Sequence, residues 1–328
     1  MIRALQAIDA PALSALFADA GASCGLFTDP APGWLANPSG DEDHTLGRWV
    51  DGALIAALRL QFPRRIRLRH LANLTLLGRD AALLPLLEAA VRFVDDLSPI
   101  DRLQLGLPTD HPAFGELSGL GFVAELNRPG RLPGGRSDAF FGRLRPGFAP
   151  RPAGPHPSWP PPQPPLPGAV ALRLPTDDDA EAVRVLSTEP ASVWGTLQSP
   201  YASEEYYRRR SQNTPADNHI CVITVDGATL GMGGLHPTGV PGVASLGMAL
   251  CAAGQGRGLG RALLKHLIEE ARARGNRRLE LAVWEDNHRA LALYRGCGFV
   301  SEGRTRWDGL RAGGHGSSFQ MALTLETP

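Results

Sequence analysis

Gln255-Gly256-Arg257-Gly258-Leu259-Gly260-Arg261 stands between an apolar, strand-like run, Val243 to Cys251, and an amphipathic helix pattern running from Leu259 to about Arg274. Alternating glycines at the mouth of a helix let the backbone turn tightly round a ligand, and the amides of a first helical turn have no partners within the helix. Such a turn is a cradle for phosphate. A dinucleotide fingerprint read from Gly254 or Gly256 needs a small residue at 259 or 261 and meets Leu259 or Arg261; a P-loop needs Gly-Lys-Ser/Thr, which is missing. Taken alone, a glycine-rich turn before a helix is as often a plain turn as a ligand site.

The spacing resembles the pyrophosphate loop Q/R-x-x-G-x-G/A of acetyl-CoA-binding N-acetyltransferases of the GNAT superfamily, at Gln255, Gly258 and Gly260. After the helix come a strand pattern, Arg278 to Trp284, and a stretch from Asn287 to Phe299. The latter resembles the superfamily's N-x-x-A-x-x-L-Y-x-x-x-G-F segment at Asn287, Ala290, Leu293, Tyr294, Gly298 and Phe299. Two ordered motifs separated by one helix and one strand point to a GNAT-like fold for residues 169–328.

The resemblance implies a mixed α/β fold whose sheet splays between the strand ending at Cys251 and the one beginning at Arg278. Acetyl-CoA, the cosubstrate, then lies in that gap, with its pantetheine along the main chain of Met248, Ala249 and Leu250. Its diphosphate rests on Gln255, Gly256, Arg257, Gly258, Leu259, Gly260 and Arg261, with Asn287 and Ala290 completing the cofactor set. The implied reaction is acetyl transfer to a primary amine of a small molecule such as an amino acid. Tyr294 is the candidate acid for the departing thiolate, because phenol and thiol have reference pKa values of about 10 and 8.5. Glu280 is the candidate base, since strand alternation sets it opposite Leu279, Leu281 and Val283; an ordinary ion-paired carboxylate is the competing reading. Leu197, Gln198 and Tyr206, in the loop and helix that border the acceptor side in the superfamily, are the candidate substrate contacts. A protein N-acetyltransferase and a non-catalytic CoA-binding sensor are the alternatives.

Leu259, Leu263, Leu267 and Ala271, with Leu264 and Ile268 beside them, place one face of the loop helix on a sheet and leave Arg261 and Lys265 in water. Upstream, prolines crowd residues 146–168, including Pro160-Pro161-Pro162 and Pro164-Pro165, which predicts an extended spacer between two domains. Residues 1–145 repeat the plan of 169–328 faintly. Ile2-Arg3-Ala4-Leu5 leads to Asp9 and a helix pattern, as Leu172-Arg173-Leu174 leads to Asp177; an aspartate cap is expected at each. Arg102 to Leu107 parallels Arg278 to Val283, and Gly119-Leu120-Gly121-Phe122 parallels Gly296-Cys297-Gly298-Phe299. The first copy offers only Leu77-Gly78-Arg79-Asp80 where the phosphate loop belongs, and Leu117 at the place of Tyr294. The expectation is therefore two GNAT-like domains, each a mixed, splayed β-sheet flanked by helices, the first degenerate.

The 328 residues include 33 basic and 33 acidic side chains and are 43% hydrophobic, enough for packed cores and without the positive field that would hold nucleic acid or an anionic membrane. Arg3, Asp9 and Asp19 interrupt any leader, and no apolar run approaches a membrane span, so a cytoplasmic location is expected. Cys24, Cys221, Cys251 and Cys297 are widely spaced and no histidines cluster along the sequence, which predicts neither disulfides nor a metal. Oligomeric state is left open.

Overall fold

The computed structural model describes residues 1–26, 33–38, 43–63, 66–78, 81–154, 161–196, 218–311 and 313–325. The chain divides into two compact units. One comprises Met1–Arg151, Gly239–Pro241 and Glu302–Leu310; the other comprises Pro152–Thr238, Gly242–Ser301 and Arg311–Pro328. Among the described residues, no helix is long and apolar enough to cross a membrane.

The first unit contains β1 (Ile2–Ala4), β2 (Asp43–Val50), β3 (Ala53–Gln61), β4 (Leu71–Leu77), β5 (Arg102–Pro108), β6 (Val123–Arg128) and β7 (Asp138–Leu144), in the order β1-β2-β3-β4-β5-β7-β6. Its strand pairs are antiparallel except β4 with β5, which run parallel from Leu71↔Arg102 to Asn73↔Gln104. The helix Leu84–Leu97 buries Leu86, Leu87, Ala90, Val91 and Val94, a single stripe at helical spacing. This stripe meets the alternating apolar residues Leu58, Leu60, Leu74, Leu76, Leu103 and Leu105 in the unit's main core.

The second unit contains β8 (Val170–Arg173), β9 (His219–Val225), β10 (Ala228–Pro237), β11 (Val243–Leu250), β12 (Arg278–Trp284) and β14 (Gly314–Thr324), in the order β8-β9-β10-β11-β12-β14. Here too one pair is parallel, β11 with β12. Between β12 and β14 comes β13 (Val300–Arg311), whose residues 302–310 belong to the first unit. The helix Leu259–Ala273 buries Leu259, Leu263, Leu264, Leu267, Ile268 and Ala271, the face read from its periodicity. Gly233 on β10 admits it closely, since a Cβ there would stand 2.7 Å from Leu267.

Local devices recur in the two units. Each opens its first hairpin with Val-Asp-Gly-Ala, at 50–53 and 225–228, and both central residues are left-handed: Asp51 and Gly52 at φ 49° and 81°, Asp226 and Gly227 at 46° and 84°. Positive φ at both positions matches the turn to the twist of the strands. Arg3 grips Asp9 at 2.6 and 2.7 Å while Asp9 accepts from the Gln6 amide at 2.8 Å. Arg173 grips Asp179 at 2.6 and 2.9 Å while Asp179 accepts from the Thr176 amide at 2.7 Å. The aspartate expected at 177 is thus corrected to Asp179: in the run Asp177-Asp178-Asp179, only the third is spaced to reach back to the residue that starts the turn.

The hydrogen bonds from Arg3, then that from Gln6, hold the Asp9 carboxyl down at about 2. A carboxyl depressed in the folded state contributes stability that is complete above its unfolded pKa and is lost as pH falls through the folded value. The thermal midpoint should therefore exceed that of Asp9→Asn at pH 6. The gap should close between about pH 4 and 2; a gap independent of pH would show that the bond to Arg3 is not linked to folding.

Candidate active site

The parallel ladder between β11 and β12 has three rungs, Val243↔Arg278, Ala244↔Leu279 and Ser245↔Glu280. Beyond them the strands part. β11 stays with β10 as far as Leu250↔Gly231, and β12 stays with β14 as far as Trp284↔Ser318. The facing edges of residues 246–250 and 281–284 therefore lie outside any ladder between them, and backbone donors and acceptors so placed are a template for an extended ligand. A Cβ built on Gly247 would meet no atom within 4 Å.

At the end of β11 the chain turns through Ala252–Gly254 into the glycine loop. Gly256 and Gly258 adopt φ of 77° and 84°, the left-handed region that L side chains disfavour, and Gly258 caps the helix Leu259–Ala273. The Arg261 amide closes on the Gly258 carbonyl at 3.0 Å, so it is withdrawn from the expected cradle. No described residue accepts from the amides of Gly256 through Gly260. The space above Gly258 is open, with no atom within 4 Å of a Cβ placed there. A Cβ on Gly260 would meet Leu250 at 3.3 Å, Leu293 at 3.4 Å and Met248 at 3.8 Å, so loop, strand end and last helix converge at this point.

The outer rim of the loop is held by the proline-rich segment. The Gln163 amide donates to the Gly256 carbonyl at 3.0 Å, and the Arg257 guanidinium donates to the carbonyls of Ala253 at 3.0 Å and Pro164 at 2.8 Å. Residues 161–164, expected as spacer, are part of the loop's wall. Arg261 donates to the Gly296 carbonyl at 3.3 Å, and Arg289 stands 2.8 Å from a Cβ at Gly256. Three arginines therefore flank the unpartnered amides, a setting for an anion.

Other expected cofactor contacts are engaged inside the fold. The Gln255 side chain turns inward, donating to the Leu250 carbonyl at 3.1 Å, and Ser192 donates to the same oxygen at 3.3 Å. Gln255 is thus a brace between strand end and loop. Asn287 accepts from the Ala290 amide at 3.1 Å and caps the helix His288–Arg295, which carries Tyr294.

Tyr294 is buried against Phe299, ring centroids 5.8 Å apart, and burial pushes its phenol up to about 12. Glu280 sits on the last rung before the strands part and accepts from Arg278 at 2.8 Å. In the first unit the same rung holds Gln104, which accepts from Arg102 at 3.1 Å, an amide in place of a carboxylate. The same comparison aligns Tyr294 with Leu117: the Phe299 amide donates to the Tyr294 carbonyl and the Phe122 amide to the Leu117 carbonyl, each at 3.1 Å. Leu197, Gln198 and Tyr206 lie outside the described residues.

Two clusters have no signal in the linear sequence. Arg311 lies 3.6 Å over the Trp194 ring and 4.6 Å over that of Trp284, and donates to Asp286 just past the end of β12. The other gathers His219, Cys221 and His266, whose ligand atoms all lie within 4.8 Å of one another. Histidines scattered along the sequence meet here in space: β9 puts 219 and 221 on one face, and the loop helix lays 266 over it.

Residues 184–299 match the acetyltransferase (GNAT) family. The chain is similar to the L-amino acid N-acetyltransferase AaaT of Escherichia coli (strain K12), 28% identical over 158 residues covering 47% of this chain and 96% of that protein. It is similar to the ribosomal protein bS18-alanine N-acetyltransferase of Salmonella typhimurium, 44% identical over 71 residues covering 22% of this chain and 48% of that one. Among solved structures, it resembles a GCN5-related N-acetyltransferase from Kribbella flavida, 28% identical with a TM-score of 0.43, covering 48% of this chain and 98% of the other.

Proposed function

We propose that this chain, which carries a GNAT acetyltransferase domain over residues 184–299 and is an N-acetyltransferase using acetyl-CoA, acts on the α-amine of a free amino acid or a similar small molecule. The observation that carries the reading is the three-rung ladder, which leaves the edge of residues 246–250 outside any pairing with β12 directly before the loop with unpartnered amides. Residues 246–250 fit an extended pantetheine, the amides of Gly256 to Gly260 fit a diphosphate, and the open space at Gly247 and Gly258 leaves room for both.

Bound acetyl-CoA supplies the activated thioester. The chain's part is to align the amine, shield the reacting carbon and return a proton to sulfur. Tyr294 suits the last task despite its raised pKa. Burial disfavours the anion of a thiol as it does that of a phenol, so a thiolate released in a site closed to water also takes up a proton more readily than it would in water. The transfer is then nearly balanced, the condition in which general acid catalysis works best. Glu280 is our candidate for receiving the amine's proton, directly or through water. Its Oε1 is already engaged by the Arg278 guanidinium at 2.8 Å. The α-amine of a peptide, with a reference pKa of about 7.7 to 8.0, is less basic than a lysine side chain at about 10.4, so an α-amine asks less of such a base than a lysine does. The name of the Escherichia coli relative points the same way.

Residues 1–145 we read as a second copy of the fold without the chemistry, supported by the shared hairpin turn, the shared arginine–aspartate pair, and Gln104 and Leu117 at the places of Glu280 and Tyr294.

Thiol release from acetyl-CoA by the full chain, measured over amino acids, polyamines and peptides, tests the reading. Amino acids should be turned over, and Tyr294→Phe should lower kcat by about a hundredfold with little change in acetyl-CoA affinity. Turnover confined to peptides would move the assignment to a protein N-acetyltransferase. An unchanged kcat would remove Tyr294 from the chemistry.

A further inference from the structure

We infer that His219, Cys221 and His266, with Glu270 as fourth ligand, form a site for a zinc-like divalent cation on the second unit, away from the acetyl-CoA cleft. Their ligand atoms already lie within 4.8 Å of one another. Glu270 Oε2 stands 3.9 Å from His219 Nε2. Tetrahedral ligands at about 2.0 to 2.3 Å from zinc are roughly 3.3 to 3.8 Å apart, so closing His219, Cys221 and His266 on an ion asks for about an ångström of side-chain movement, and Glu270, outside that trio, must swing in from its place beside His219.

The fold supplies the arrangement from two rigid elements. His219 and Cys221 are two apart on β9 and share a face, and His266 and Glu270 are four apart on one face of the loop helix. Gly233, paired opposite Cys221 on β10, lets that helix lie close. Two imidazoles, a thiolate and a carboxylate are a donor set of the borderline-soft kind that suits zinc.

An independent observation points to a ligand. His219 is 7% exposed, and its Nε2 is buried with no hydrogen-bond partner. An orphaned buried nitrogen of this kind is rare in a native structure, and a bound ion is one of the few things that relieves it. His219 Nδ1 faces Arg274 Nη2 at 3.1 Å, and Arg274 Nε lies 3.7 Å from Glu270. When a cation takes Nε2, the ring proton moves to Nδ1 and the guanidinium must withdraw, which its half-exposed position allows. Arg274 is therefore a competitor of the metal. The site lies seven residues along the helix from Leu259, about 10 Å from the phosphate cradle, so its role is to pin β9 to the helix and not to touch the thioester.

Titration of the full chain with Co²⁺, read by thiolate-to-cobalt charge transfer and tetrahedral ligand-field bands, and with Zn²⁺ by calorimetry tests the site. One equivalent should bind with both signatures. Cys221→Ser should abolish the charge-transfer band, His266→Ala should weaken binding at least tenfold, and Arg274→Ala should strengthen it several-fold. Cys297→Ser, which alters a thiol outside the cluster, should change nothing. At a hundredfold excess over Kd, Zn²⁺ should raise the thermal midpoint by roughly 5 to 10 °C, and not in His266→Ala. If Cys221→Ser does not fold, His266→Ala and Arg274→Ala, both at partly exposed positions, decide the matter. No cobalt bound, or binding indifferent to His266 and Arg274, overturns the proposal.

Discussion

Gly258→Asp is expected to weaken acetyl-CoA binding at least a hundredfold while leaving the thermal midpoint almost unchanged. The position separates ligand effects from folding effects. Gly258 has φ of 84°, which aspartate tolerates better than most residues, and its Cβ would enter space empty of protein atoms within 4 Å. The fold therefore bears about 1 kcal/mol of backbone strain or less. The new carboxylate, however, stands where the amides of Gly256 to Gly260 would receive a diphosphate. At about 5 Å and an effective dielectric near 20, one pair of like charges costs roughly 3 kcal/mol, already more than a hundredfold. Gly256 serves less well, since a Cβ there would run into Arg289 at 2.8 Å and Pro161 at 3.1 Å and disturb the loop itself. Calorimetry with acetyl-CoA checks the prediction. An affinity within threefold of the parent chain would place the diphosphate elsewhere and remove the premise of the active-site reading.

Such a test rests on features that differ in how legible they are. β12 occupies the residues expected from the sequence, Arg278–Trp284, because an apolar run bounded by turn residues leaves little choice of limits. The loop helix is equally plain, its apolar stripe and its glycines agreeing on one start. Where the β11–β12 ladder stops is a different matter. Nothing in the alternation of residues 243–250 marks Ser245 as its last rung; that limit belongs to the pairing of the strands in space, and only the resemblance carries the expectation. The Asp177-Asp178-Asp179 run offers three equivalent cap signals to a reader of sequence, and the hydrogen bond to Thr176 chooses Asp179. Side-chain roles were the least visible. Gln255 and Asn287, placed toward the cofactor by motif, are occupied by Leu250 and Ala290, since a motif records which residue type is needed and not whether it touches ligand or braces the loop. Arg311 meets Trp194 across more than a hundred residues, and His219 meets His266 across more than forty; such pairings belong to topology, not to local pattern.

The first unit should lose about 3 to 5 kcal/mol of stability on Glu125→Ala. Glu125 on β6 and Arg102 on β5 are 1% and 0% exposed and bonded in parallel, at 3.0 and 2.6 Å. Arg306, in the segment of β13 that belongs to this unit, adds a bond at 2.8 Å, and Gly142 on β7 leaves the room: a Cβ there would stand 2.4 Å from Arg102 and 2.6 Å from Glu125. Truncating the carboxylate leaves the Arg102 guanidinium buried with its charge uncompensated, and the Arg306 carbonyl and the Gln104 amide oxygen are the neutral acceptors that remain. Desolvation of a lone charge is what makes this loss large, in contrast to an exposed pair such as Arg92 with Glu88, whose removal should change little. Denaturant unfolding should register the drop, and the double variant Arg102→Met with Glu125→Leu should recover most of it, because a buried ion pair exchanged for apolar groups of similar volume is often neutral. If Glu125→Ala alone costs less than about 1 kcal/mol, water reaches Arg102 and the pair is not the dry, closed contact that its exposure and bond lengths describe.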